Sequence, residues 1–226
     1  MKQMLVMLFV VLIAPVGEAA TFTYTSGALD TATNFNHSTC ALGSCADFNN
    51  TMHATGSITT TPLPASQTSL DPSPYLTSFT FFDGVTTYSS ADPNVRARWT
   101  VDTDAFGNIA SIYGNFQRWQ AGSAPHGASD RFDNLTIFGP AHYYHNYDCN
   151  SVGTSAAPQN VPDFCVGVTF DSNSSYGEYA TANWMGGAGP GAAAATSVPT
   201  LSEWGLMILS TLMAVLAVGL MRRRTR

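Results

Sequence analysis

The sequence predicts an all-β body, a single β-sandwich-like domain, and three observations carry that expectation. Apolar and polar residues alternate in short runs, and Gly, Pro, Asn and Asp punctuate those runs at regular intervals. No stretch of the body repeats its apolar residues about every 3.6 positions, as an amphipathic helix would. Short strands separated by turn signals fold as a β-sandwich or a related barrel. The body spans residues 20–185, enough chain to bury a core.

Taken in order, the expected strands begin with Thr21–Thr25, His53–Thr60 and Leu76–Phe82. The clearest alternation follows at Val95–Asp102. A period of two places Val95, Ala97, Trp99 and Val101 on one face, with Arg96, Arg98, Thr100 and Asp102 on the other. The stretch DTDAFGN then supplies turn residues. Beyond it Ala110, Ile112, Gly114 and Phe116 share a face opposite Ser111, Tyr113, Asn115 and Gln117, so the two runs predict a hairpin. Phe132–Phe138, His142–Tyr147 and Phe164–Phe170 complete the set. In the last, Phe164, Val166, Val168 and Phe170 alternate with Cys165, Gly167 and Thr169.

Between Ala20 and Ser197 there are four basic residues, Arg96, Arg98, Arg118 and Arg131, against thirteen acidic ones, a net of −9 with no lysine. Such a surface excludes nucleic-acid binding, which needs clustered cations to displace condensed counterions. The four cysteines, Cys40, Cys45, Cys149 and Cys165, are an even set in an exported chain and predict disulfides. Of the three possible pairings, Cys40–Cys45 is favoured because Gly43 permits a tight turn in the short loop ALGS. Cys149–Cys165 would then pin a longer loop. The spacing is poor for zinc, and neither a metal nor a cofactor is expected.

The two ends differ from the body. Residues 1–19 combine Lys2, the apolar stretch Leu5 to Ala14 and the small residues Gly17 and Ala19, the pattern of a secretory signal peptide. Residues 186–197, GGAGPGAAAATS, predict a flexible linker. Residues 206–221 form a sixteen-residue apolar run, expected to be a transmembrane helix, near the lower limit for a span once Trp204 and Gly205 are added. Arg222, Arg223, Arg224 and Arg226 follow at once and are expected on the cytoplasmic side.

A plain anchor leaves the stretch before the span unexplained. Val198-Pro199-Thr200-Leu201-Ser202-Glu203-Trp204-Gly205 resembles the IPTL-CTERM sorting domain, whose motif is Ile-Pro-Thr-Leu-x-x-Trp-Gly; the one departure is Val for Ile. With the span and the arginine cluster, the likeness covers residues 198–226. It implies handling by an exosortase-type membrane transpeptidase of a Gram-negative bacterium, of the exosortase H class. Such an enzyme would recognise the motif at the membrane surface, cut near it and release or transfer the body. Pro199 biases Val198 toward an extended conformation suited to a protease cleft. The chain would thus pass from an inner-membrane-anchored precursor to the cell surface, the extracellular matrix or the medium. Within the body, SFTFFDG followed by WTVDTDAFGNI resembles blocks in ectodomains of proteins with the related PEP-CTERM tail, which implies a shared architecture and transfers no catalytic residue.

Chemistry-bearing constellations in the body are weak. Asp102, Asp104 and Gly107 begin like an EF-hand loop, but Phe106 and Tyr113 occupy positions where calcium ligands belong, and a hairpin turn explains the same residues. His142 and His145 point to opposite faces if their segment is a strand. Gly153-Thr154-Ser155-Ala156-Ala157 lacks the closing glycine of a nucleophile elbow, and Pro158 blocks the helix that should follow. The leading expectation is a non-enzymatic surface or matrix component. The alternative is a glycan-binding module that stacks sugars on aromatics such as Tyr75, Trp119, Tyr143, Tyr144 and Trp184, with an extracellular polysaccharide as partner. A secreted hydrolase ranks third.

Overall fold

The computed structural model describes residues 19–30, 34–37, 39–137, 141–179, 209–211 and 213. The chain divides into two units, Met1–Gly191 and Ala192–Arg226. Among its described residues the first holds ten strands: β1 (Ala20–Ala28), β2 (His53–Thr60), β3 (Leu76–Phe82), β4 (Thr87–Ser89), β5 (Val95–Thr103), β6 (Ile109–Trp119), β7 (Arg131–Ile137), β8 (Ala141–Gly153), β9 (Phe164–Thr169) and β10 (Ser175–Tyr179). They form an antiparallel four-stranded sheet in the order β1-β2-β3-β4. A second antiparallel sheet runs β10-β8-β7-β6-β5, with β9 also on β8.

The two sheets share one apolar core, as the all-β expectation requires. Phe22, Ile58, Phe79 and Phe81 from the first sheet join Trp99, Val101, Phe116 and Leu135 from the second. Phe116 lies 5.4 Å from Phe79 and 4.7 Å from Phe81, ring centre to ring centre, within the range of favourable aromatic pairs. Gly56 on β2 makes room for this arrangement: a Cβ there would stand 2.2 Å from the Phe81 ring.

Strands β2 and β3 have the predicted bounds, while β4 and β10 are additions. The predicted hairpin is β5–β6, with Trp99 and Val101 inward. One expected face needs correction. Ala110 is exposed, whereas Ile109 and Ile112 are both buried. The pairing steps from Asp102↔Ser111 to Thr103↔Ile109, so Ala110 is the extra residue of a β-bulge that resets the inward phase.

β8 and its return limb form a long arm. Residues 141–145 of β8 pair with β10 and residues 148–153 with β9, both on the flank opposite β7. The loop between β8 and β9 then crosses the outer face of the second sheet. The Gln159 side chain accepts from the Trp99 N–H (3.1 Å) and donates to the Trp99 carbonyl (2.6 Å) on the edge strand β5. Gln117 on β6 grips Cys165 in the same way, at 2.9 and 3.0 Å. Beneath the arm lies a second apolar cluster, Trp119, Phe132 and Tyr147 with Cys149 and Cys165.

In the arm the alternating residues of the Phe164 strand do not share one buried face. Phe164 and Cys165 are buried, but Val166, Val168 and Phe170 are exposed. The strand is pinned to the sheet at Cys165 by Gln117 and by the disulfide to Cys149, and its Val166 and Val168 turn to a hollow on the outer face.

Candidate functional site

The sorting motif Val198–Gly205 and the cluster Arg222, Arg223, Arg224 and Arg226 lie outside the described residues, as do residues 1–18 and the linker 186–197. Within the predicted span, residues 209–211 and 213 are described, and they are helical. Among the described residues no helix is long and apolar enough to cross a membrane.

In the body the four cysteines pair as Cys40–Cys45 and Cys149–Cys165, and none is free. The loop closed by the first bridge is fastened by amides. Asn173 Oδ1 accepts from the Ala41 and Leu42 N–H groups, and Asn146 Nδ2 donates to the Leu42 carbonyl at 2.8 Å. Gln120 accepts from the Ser44 N–H and donates to the Ser44 carbonyl. Gly43 has φ +72°, and a Cβ there would stand 1.9 Å from the Asn146 side chain, so glycine is needed for conformation and for space. His37 brings a ring nitrogen within 4.8 Å of both sulfurs. Those sulfurs form the disulfide rather than the thiolates a metal would need.

Below this loop Asp133 of β7 forms a buried polar hub. One carboxylate oxygen accepts from Gln120 Nε2, the Asn146 N–H and His145 Nδ1; the other accepts from the Thr86 hydroxyl. Nearby, Asp83 accepts from the Val85 and Thr86 N–H groups and from the Tyr88 hydroxyl. Thr86 Oγ1 lies 3.3 Å from His145 Nδ1, the same nitrogen that faces Asp133. The imidazole therefore does not stand between an acid and a hydroxyl, as a nucleophile-activating triad requires. The geometry is that of a loop anchor at the base of a cleft of about 480 Å³.

Burial pushes the Asp83 carboxyl up from 3.8 to about 6, against its hydrogen bonds from Thr86, Val85 and Tyr88 and with Asp133 adding to the rise. Burial draws His145 down, but its hydrogen bond and charge interaction with Asp133 outweigh this, helped by Asp83 and the Ser44 backbone, and its pKa is raised. Both raised groups contribute stability on the acid side. The Asp83 contribution is fully present below pH 3.8 and is lost as pH rises through about 6; that of His145 is present below pH 6.5 and is lost above it. Asp171 works in the opposite sense. The Arg131 guanidinium holds its carboxyl far below 3.8, so its contribution is lost only as the solution turns strongly acid. Thermal melts across pH should therefore show maximum stability at about pH 4, with Tm falling through pH 6 and on toward pH 8. Asp83→Asn should flatten the fall between about pH 4 and 6 and leave the limb above it to His145, and a wild-type Tm that rises from pH 6 to pH 8 contradicts this account.

The other sequence candidates separate. Asp102 accepts from the Ser69 N–H and the Ser111 hydroxyl, while Asp104 accepts from the Phe106 and Asn108 N–H groups around Gly107. The residues thus fasten a hairpin turn. His142 meets the Tyr176 hydroxyl on the outer face, whereas His145 is buried at the Asp133 hub, so the two histidines are on opposite faces. The Ser155 hydroxyl accepts from the Val161 N–H inside the arm's loop.

Of the proposed sugar-stacking aromatics, Trp119 and Tyr143 are fully buried and Tyr75 packs against the core; Trp184 lies outside the described residues. Tyr144 joins an aromatic cluster with Phe35, Tyr176, Tyr147 and Phe170, whose rings stack largely on one another. Sequence reasoning missed the polar floor beside this cluster. Arg98, Asn115 and Thr136 lie side by side across β5, β6 and β7. Two adjoining hollows of about 520 and 300 Å³ lie along this row and share Arg98 and Asn115. The signal was present as polar residues on the outward phase of three neighbouring strands, but it needs the register to be seen.

No curated protein and no solved structure matches the chain. Residues 196–224 match the IPTL-CTERM motif, so the finding concerns the tail and not the body. It suggests a C-terminal sorting signal on an exported, membrane-associated surface protein.

Proposed function

We propose that this chain is a non-enzymatic surface or extracellular-matrix protein whose β-sandwich body is delivered by its tail and cut near Val198–Gly205 by an exosortase-type transpeptidase. The IPTL-CTERM match over residues 196–224 carries this reading. The motif stands beside a small-residue linker and ahead of an apolar run and an arginine cluster, an order suited to recognition at a membrane surface. Two disulfides support an oxidising destination for the body. The non-enzymatic part of the reading is supported by the Asp133–His145 geometry, in which each polar group fastens a loop.

The test is mass spectrometry of the mature C-terminus, with protein recovered from the surface and medium of the native cells. The expected species ends near Val198–Gly205 or carries a covalent addition there. Recovery of the tail intact through Arg226, from membranes alone, would reduce the motif to the rim of an ordinary anchor.

A further inference from the structure

We infer that the outer-face groove under the arm binds a neutral, hydroxyl-rich polysaccharide; this ligand class rests on the surface location proposed above, whereas the site itself rests on geometry. The floor holds two amides that are only half satisfied. Asn115 Nδ2 and Asn134 Nδ2 both donate to the Thr136 hydroxyl, at 3.2 and 2.8 Å. The Oδ1 atoms of both residues are buried and receive no hydrogen bond within the protein. Asn134 is only 1 % exposed, so this acceptor is built into the fold and not a loose surface group. Both residues line the same hollow, and this unmet acceptor capacity at its floor suits a ligand rich in O–H or N–H donors.

The surroundings narrow the class. The Tyr113 ring is exposed at one end of the groove, and Tyr144 lines the other beside Val166 and Val168 of the arm. Aromatic and aliphatic walls beside amide groups suit sugars, which present C–H faces and hydroxyl edges together. Among the described residues no carboxylate lines either hollow, so nothing there selects a cation or a basic peptide. Arg98 is the one charged residue in the lining, and its Nε already donates to the Ala157 carbonyl. A net charge of −9 on the body disfavours polyanions. The groove lies on the face of a sheet whose backbone groups are paired in ladders, so an extended peptide has no edge to join there.

Native affinity electrophoresis of the full chain in detergent micelles tests this, with dextran, pullulan, galactomannan and mixed-linkage β-glucan each cast into the gel. At least one should retard the wild type. Tyr113→Ala and Asn115→Ala should each weaken that retardation at least about tenfold, with near-UV circular dichroism unchanged. Should Asn115→Ala lose its near-UV signal, the exposed Tyr113→Ala decides alone. Migration unaffected by all four polymers overturns the inference. So does retardation that survives Tyr113→Ala, or retardation confined to a fifth gel cast with the polyanion alginate. A chain that binds a glycan here yet keeps its tail to Arg226 in cells would sink the sorting proposal and leave the groove standing.

Discussion

Asp133→Ala is expected to cost the body at least about 4 kcal/mol, enough to leave most marginal domains unfolded. The substitution removes the common acceptor of four donors, Gln120 Nε2, the Asn146 N–H, His145 Nδ1 and the Thr86 hydroxyl. Each buried donor without a partner costs about 1–3 kcal/mol, so the sum exceeds what any surface change could offset. The damage also spreads, because Gln120 and Asn146 are the residues that hold the Cys40–Cys45 loop. Asp133→Asn keeps one acceptor oxygen and turns the other into a donor facing donors; its loss should be intermediate. Denaturant unfolding followed by tryptophan fluorescence measures both. A loss below about 1 kcal/mol for Asp133→Ala would show that the hub does not hold the sheets and loop together.

Removing the second disulfide ranks next. The Cys149→Ala/Cys165→Ala double variant should lose about 3 kcal/mol, because the bridge closes a loop of sequence separation 16. The Cys40→Ala/Cys45→Ala variant, with a separation of 5, should lose about 2 kcal/mol on the same chain-entropy argument. The first variant should also become sensitive to proteolysis between residues 154 and 163, since the bridge anchors the arm from which that loop hangs. Equal losses for the two variants, or a protease-resistant arm after the first, would contradict this ranking.

The body's class was legible because strands such as β2, β3 and β5 bury one face against the core shared by the two sheets. The alternation in β5 places Trp99 and Val101 inward, and β2 and β3 have the predicted bounds. What escaped has physical causes. β10 turns Ser175, Gly177 and Tyr179 inward, and two of those three carry no apolar signal. β4 is three residues long. The phase error at Ala110 comes from a bulge, which an unbroken period of two cannot represent. Burial of Trp119 and exposure of Val166 share one origin, an arm that folds across the outer face. That crossing depends on contacts such as Gln117 with Cys165, 48 residues apart, which no local pattern encodes. The groove suffers from the same difficulty: Asn115, Asn134 and Thr136 look like ordinary solvent-facing residues until β6 and β7 are in register. The tail was legible in the other way, as a short motif whose order along the chain carries its meaning.

The grip of Gln159 on Trp99 bears on how densely such a protein can be displayed. An edge strand offers unpaired N–H and C=O groups that template pairing with a neighbouring chain. On β5 the Gln159 amide occupies both groups of Trp99, and Leu70 occupies both groups of Val101 at 2.8 and 2.9 Å. A strand arriving from a second molecule would meet this edge already closed over two successive pairing positions. Crowded copies are therefore denied cross-molecular sheet growth along β5, and the same loop that shapes the groove also acts as a guard against aggregation.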